Sequence, residues 1–193
     1  MAAGRGDRYG AAKQFESFRG RTLLDWATDV ARRSSDDVVV VLPPGQGGVA
    51  GGATRSESVR AGLAAVPDAA DIIVVHDAAR PLATDALFAA VIDAVRNGAD
   101  AAIPGVAVTD TVKRVEGDRV IETLDRSQLV AVQTPQAFRA DALRKAHGAG
   151  GDATDDAALV EAAGGTVVVV AGEPGNIKVT TPADLRVAEA LSS

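Results

Sequence analysis

Unbroken runs of β-branched residues recur along this chain. Residues 37–42 carry four consecutive valines and read as a strand that Pro43, Pro44 and Gly45 terminate. Residues 71–76 read as a second strand, 101–108 as a weaker third and 165–170 as a fourth. Runs without polar alternation indicate strands covered on both faces. Between them the spacing predicts helices over 22–33, 56–65, 85–97, 155–163 and 182–191. Two have good start signals: Thr181 before Pro182 and Asp184, and Thr154 before Asp155 and Asp156. The alternation predicts an α/β fold with a mostly parallel, doubly wound sheet. Residues 109–134 break it. Short strands are expected there at 111–115, 120–124 and 130–133, with a turn at Glu116, Gly117 and Asp118. Such an antiparallel arm either mediates dimerisation or packs as an edge hairpin on its own subunit.

The length of 193 residues fits one domain spanning 1–193 with a sizeable core. No stretch approaches the roughly 18 to 20 apolar residues of a membrane span, and no signal-peptide core is evident, so a cytoplasmic protein without a membrane partner is expected. The absence of cysteine excludes disulfides and thiolate chemistry, and two histidines are too few for a His-rich zinc site. A net charge of -6 argues against nucleic acid as a partner. Phosphates would need local cations, and only four lysines exist: Lys13, Lys113, Lys145 and Lys178.

Four constellations could carry chemistry. Ala2, Ala3, Gly4 and Gly6, with Arg8 and Lys13, would let backbone N–H groups approach phosphate oxygens; alone, such a segment is more often a disordered tail. His76, Asp77 and Arg80 follow a buried strand, at the end where open α/β sheets bind ligands. Asp77 suits a divalent cation and Arg80 a phosphate, whereas His76 reads as a packed imidazole. Gly51 and Gly52, then Thr54, Ser56 and Ser58, form a helix cap that could also hold a base or ribose. Lys178 stands in an apolar strand, which is uncommon unless its ammonium reaches an anion or acid.

Taken in order, the stretches AAGRGDRYGAAKQF, GGATRSESVRAGL, HDAARP, DTVKR, TLDRSQL, TPQAF, ATDDAALVE and GNIKVTTPADL cover nearly the whole chain. The chain resembles the 2-C-methyl-D-erythritol 4-phosphate cytidylyltransferase family of the non-mevalonate isoprenoid pathway. The resemblance implies a Rossmann-like nucleotidyltransferase sheet with an arm, about 109–134, interlocking two subunits of a homodimer. It implies transfer of CMP from CTP to the sugar phosphate, giving 4-diphosphocytidyl-2-C-methyl-D-erythritol and pyrophosphate, with Mg²⁺ or another divalent cation as cofactor. Ala2, Ala3, Gly4 and Gly6 would hold base and phosphates; Arg8, Lys13 and Lys178 would stabilise charge on the α-phosphate; Gly52 and Ser58 would contact cytosine and ribose. Asp77 would bind the metal and the ribose region. Arg80, Thr134, Thr154 and Lys178 would hold the acceptor, and Thr111 and Arg126 would reach the neighbouring subunit's site. A phosphate monoester is already anionic near neutral pH, so the task is positioning and charge neutralisation, not base catalysis.

Three departures from the family pattern accompany this match. Met1 stands at the end of an expected first strand, which is absent, so a late start of the sequence is expected. Losing about six buried apolar residues would remove something like 10 kcal/mol. Ala12 replaces a frequent Pro, and Ala53 a frequent acid. The alternatives are a ribitol 5-phosphate cytidylyltransferase and a catalytically impaired nucleotide-binding dimer module.

Overall fold

The computed structural model describes residues 1–4, 9–10 and 12–192. The strands are β1 (Ser17–Phe18), β2 (Arg21–Thr22), β3 (Val41–Leu42), β4 (Val49–Ala50), β5 (Ile72–Val75), β6 (Ala101–Ala107), β7 (Lys113–Glu116), β8 (Arg119–Thr123), β9 (Val130–Val132), β10 (Gln136–Arg139) and β11 (Val167–Ala171). The α-helices are α1 (Leu23–Ser34), α2 (Arg55–Leu63), α3 (Asp85–Arg96), α4 (Ala140–Gly148), α5 (Asp156–Ala162) and α6 (Pro182–Leu191). The central sheet has the order β11, β6, β10, β5, and β9 also pairs with β6. Strands β5, β6 and β11 run in one direction, as an α/β frame requires, and β10 is threaded antiparallel between β5 and β6.

Helices cover both faces. Val59 of α2, Leu143 of α4 and Val160 of α5 pack on Ile73, Val75, Ala101, Ile103 and Phe138. Val91 and Val95 of α3 pack on the opposite face, against Ala102 and Ala137. Odd and even residues of β5 thus both meet apolar side chains, which is why its sequence shows no polar alternation.

Helix starts follow the side-chain chemistry. Thr22, Thr54 and Thr181 each form a capping box with an acid three residues on. At α5 the expected cap moves by one residue: Asp155, not Thr154, accepts the Ala158 N–H.

The short strands β1, β2 and β4 went unread in the sequence, as did β10 and α4. β10 and α4 follow each other without a loop, and only four residues of β10 carry the strand signal. Conversely, the run at 37–42 forms a ladder only at Val41 and Leu42, which pair with β4. Val38, Val39 and Val40 are half-buried without ladder assignment.

Met1 and Ala2 connect β3 to the end of β5. The Ala2 N–H donates to Val41 O at 2.9 Å, and the Ala78 N–H donates to Met1 O at 3.0 Å. The glycine-rich N-terminal segment therefore starts wedged between two apolar strands. The hairpin of β7 and β8 stands apart, with every residue of both strands exposed.

Phe138 is 0% exposed and lies at the centre of the sheet. Phe138→Ala is expected to destabilise the fold by about 3–5 kcal/mol, read from the midpoint of urea unfolding.

Candidate active site

β5 ends at Val75, and the chain turns through His76 to Arg80 above the sheet. A cleft of about 440 Å³ opens there, lined by Met1 to Gly4, Lys13, Gln14, Gly52 to Arg55, Ser58, Asp77 to Ala79 and Lys178. Four segments distant in sequence meet in it. The residues 177–180 dock on the 76–80 turn through the Val179 N–H, which donates to Ala79 O at 2.8 Å. Lys13 reaches the same place, its Nζ donating to Val179 O at 2.8 Å.

Asp77 is the charged centre. Its carboxylate Oδ2 accepts from Lys178 Nζ at 2.6 Å, with the two side chains 14% and 43% exposed. Its backbone N–H donates to Thr134 Oγ1 at 3.0 Å. Burial alone would raise the Asp77 carboxyl, but the Lys178 ammonium, aided by the N-terminal ammonium and Arg55, holds it well below the usual carboxylate range. It is ionised at neutral pH. The His76 imidazole is pushed by burial, and then by the N-terminal ammonium, down to about 3. His76 is neutral and packs edge-on against Phe88, with ring centroids 5.2 Å apart. It is the packed imidazole expected from its position.

The glycine pair is close-fitting. A Cβ on Gly51 would sit 2.4 Å from Ala3 Cβ, and one on Gly52 would sit 2.4 Å from Glu57 Cβ. The Gly52 N–H donates to Ser58 Oγ at 3.1 Å, and that hydroxyl donates to Thr54 O at 3.0 Å. Ser58 therefore shapes this loop from beneath.

Among the expected site residues, Ala2, Ala3, Gly4, Lys13, Gly52, Ser58, Asp77 and Lys178 come together in the cleft. Gly6 and Arg8 lie outside the described residues. Thr134 is buried behind Asp77, its Oγ1 also 3.2 Å from His76 Nδ1. Arg80 is pinned by Asn176 O at 2.6 Å and Val132 O at 3.3 Å. Thr154 is exposed in the loop before α5. Thr111 and Arg126 sit at the root of the arm, where Arg126 Nη1 donates to Thr109 O.

The sequence did not single out a buried amide pair that fastens two of these segments. Gln133 Nε2 donates to Glu173 O at 2.8 Å and to Asn176 O at 3.2 Å, while Asn176 Nδ2 donates to Thr134 O at 3.0 Å. Arg55 also lines the cleft unforeseen, with Asp156 and His147 behind it. Asn176 beside Lys178 was visible as a polar residue before an apolar run, which forms no strand although one was expected there, because it docks on the 76–80 turn and not on a sheet edge; Gln133, Arg55 and His147 carried no comparable signal.

A family model for 2-C-methyl-D-erythritol 4-phosphate cytidylyltransferase (IspD) matches residues 1–193. The chain belongs to this family. A 2-C-methyl-D-erythritol 4-phosphate cytidylyltransferase of Rhodococcus jostii is 47% identical, over 98% of this chain and 92% of that one. A bifunctional IspD/IspF enzyme of Anaeromyxobacter dehalogenans is 45% identical over 98% of this chain, which spans 55% of it. The crystal structure of the cytidylyltransferase from Thermus thermophilus superposes with a TM-score of 0.85 at 39% identity, covering 96% of both chains. The cytidylyltransferase fold thus carries the cleft of Asp77 and Lys178 at the end of β5.

The buried His76 also gives a pH signature. Its unfolded imidazole titrates near 6.5 and its folded one near 3, so the unfolded chain binds the extra proton between these values. The stability His76 contributes is complete above pH about 6.5 and is lost as pH falls toward 3. Going from pH 7 to 4.5, His76→Asn is expected to lose about 2 kcal/mol less unfolding free energy than the wild type. Denaturant titrations at the two pH values check this; equal losses would contradict the assignment.

Proposed function

We infer that this chain transfers the cytidylyl group of CTP to 2-C-methyl-D-erythritol 4-phosphate and releases pyrophosphate. The observation that carries the chemistry is the convergence of Lys13, Lys178 and ionised Asp77 in one cleft floored by Ala2, Ala3 and Gly4. In this reading the 51–58 loop and the N-terminal residues hold the nucleotide. An acceptor phosphate oxygen forms a bond to the α-phosphorus as the bond from that phosphorus to the β-phosphate oxygen breaks, and pyrophosphate takes the electron pair. The attacking oxygen is already anionic, so no proton must be removed from it. Neutral, buried His76 is unsuited to be a base, and none is needed. Lys13 and Lys178 would neutralise the charge accumulating around the α-phosphate.

Asp77 suits a divalent cation. Its Oδ2 is engaged by Lys178, and among the described residues no three acidic, histidine or cysteine side chains cluster as a metal cage. A magnesium ion held by one carboxylate and the nucleotide's own phosphates would need no such cage. When bound, such an ion supplies charge neutralisation and orientation of the triphosphate. Thr134 and Arg80 would act on the acceptor at one remove, the former by fixing the Asp77 backbone and the latter by fixing the Asn176 carbonyl. Thr154 would touch the acceptor from the loop before α5.

The arm supports assembly of two copies. Val115, Val120, Ile121, Val130 and Val132 are exposed apolar residues on or beside the hairpin of β7 and β8. A second copy would cover them, and Thr111 and Arg126 at the arm's root would then approach the partner's cleft.

Pyrophosphate release should occur with CTP and 2-C-methyl-D-erythritol 4-phosphate and stop on chelation of divalent cations. Ribitol 5-phosphate as the better acceptor would reassign the substrate; CTP binding without turnover on either acceptor would reduce the chain to a nucleotide-binding module. Lys13→Ala and Lys178→Ala are each expected to lower kcat by about 10²-fold or more, as removal of transition-state donors does elsewhere. Val120→Glu is expected to shift the chain toward monomer in sedimentation, with its melting temperature little changed because Val120 lies outside the core.

A further inference from the structure

Helix α2 with its cap and the segment 151–156 are fastened at four points. The Thr54 hydroxyl donates to Asp152 Oδ1 at 2.8 Å, Arg60 Nη1 to Gly151 O at 3.1 Å and the Ala153 N–H to Ser56 Oγ at 3.4 Å. The fourth contact is an ion pair: Arg55 Nη2 donates to Asp156 Oδ2 at 2.7 Å. The Asp156 side chain is 0% exposed. Its other oxygen, Oδ1, lies 3.0 Å from His147 Nε2 of α4. Burial would raise the Asp156 carboxyl, but the His147 hydrogen bond and the Arg55 charge hold it below its ordinary value.

A buried ion pair adds little net stability over apolar residues of the same volume, because desolvation offsets the attraction. What it does supply is one geometry, since the planar guanidinium and the carboxylate meet along fixed directions. The transfer reading gives one of the elements it joins to the nucleotide and the other, through Thr154, to the acceptor. Arg55 lines the cleft between Thr54 and Ser58. Asp156 follows Thr154 by two residues and begins α5.

We propose that the ion pair of Arg55 with Asp156, backed by His147, is a latch that holds the acceptor-side segment 151–156 against the nucleotide-side loop 51–58. This rests on the cytidylyl-transfer reading, which assigns the two segments to the two substrates. Arg55 and Asp156 are positioning residues in this role. In-line attack tolerates little error, and a misplacement of about 1 Å can cost 10²-fold in rate. With the latch closed the spacing of the two segments is set before either substrate arrives. With it open, the nucleotide segment keeps its own hydrogen bonds through Ser58 and Glu57, and 151–156 is held only by its three remaining hydrogen bonds to 54–60.

The test compares the wild type, Arg55→Lys, Asp156→Asn, the double variant and the surface variant Asp152→Ala. CTP dissociation constants, steady-state kinetics with the acceptor and melting temperatures are measured for each. Asp156→Asn is expected to keep the CTP dissociation constant within about twofold while raising the acceptor KM about tenfold, and the double variant to be no worse than the worse single variant. Asp152→Ala, which removes only a surface strap, is expected to raise the acceptor KM about two- to threefold at an unchanged melting temperature. If Asp156→Asn does not fold, Arg55→Lys and Asp152→Ala decide. An acceptor KM within twofold of wild type in the folded variants overturns the latch, as does a double variant whose loss is the product of the single losses. A wild type without turnover on any acceptor overturns the transfer reading and the latch together; wild-type turnover with unmoved variants overturns the latch alone.

Discussion

A carboxylate set into the apolar end of a sheet must be faced by cations, and this constraint organises the molecule around Asp77. Removing a charge from water costs several kcal/mol unless opposite charge and hydrogen bonds replace the lost hydration. Lys178 supplies the charge at 2.6 Å, and the Thr134 hydroxyl receives the Asp77 N–H. Lys178 meets the carboxylate and Thr134 the backbone, so satisfying one residue draws the end of β5, the start of β10 and the 176–180 segment into one place. The same arrangement leaves an ammonium, not an apolar side chain, projecting where phosphates are to be handled.

The amides of Gln133 and Asn176 do for the backbone what Lys178 does for charge. Irregular chain near a core leaves N–H and C=O groups without ladder partners, and side-chain amides can serve both kinds at once. Gln133 receives the Glu173 N–H at 3.1 Å and donates to the Glu173 carbonyl, closing the turn that precedes Lys178. The lysine's approach to Asp77 therefore depends on a neutral, fully buried network and not on the lysine's own long, flexible stem. Electrostatics chooses the partners, and amide hydrogen bonds fix the range.

Sequence patterning made most of the frame legible. β5, β6, β11 and α1, α3, α5 and α6 were readable because their apolar runs and caps are local properties. β10 was not, since four residues running straight into α4 leave no turn residue to mark a boundary. The valines at 38–40 show the opposite failure: of this run only Val41 and Leu42 enter a ladder, although Val40 O still accepts the Val49 N–H at 3.0 Å. At the site, Asp77, Lys13 and Lys178 were legible as unusual charges in apolar or glycine-rich settings. Arg55, Asp156 and His147 were not, because an arginine or acid at a helix start reads as ordinary surface until tertiary structure buries it. Thr134 and Arg80 were found in the sequence, but their aim was not: one turns toward His76 and the Asp77 backbone, the other toward carbonyl oxygens.

Strand β6 shares one of its edges between two neighbours, β10 at Ala101 and Ala102 and β9 from Gly105 to Ala107. The change of neighbour falls next to Gly105, where a Cβ would lie 2.7 Å from Val169 Cγ1 and 3.0 Å from Val130 Cβ. The first half of β6 thus pairs within the core and the second half with β9 of the arm, and the two halves meet where there is no space for even a methyl group. Steric exclusion at Gly105 therefore fixes where the arm is seated, at β9, while the hairpin of β7 and β8 beyond it forms a sheet of its own.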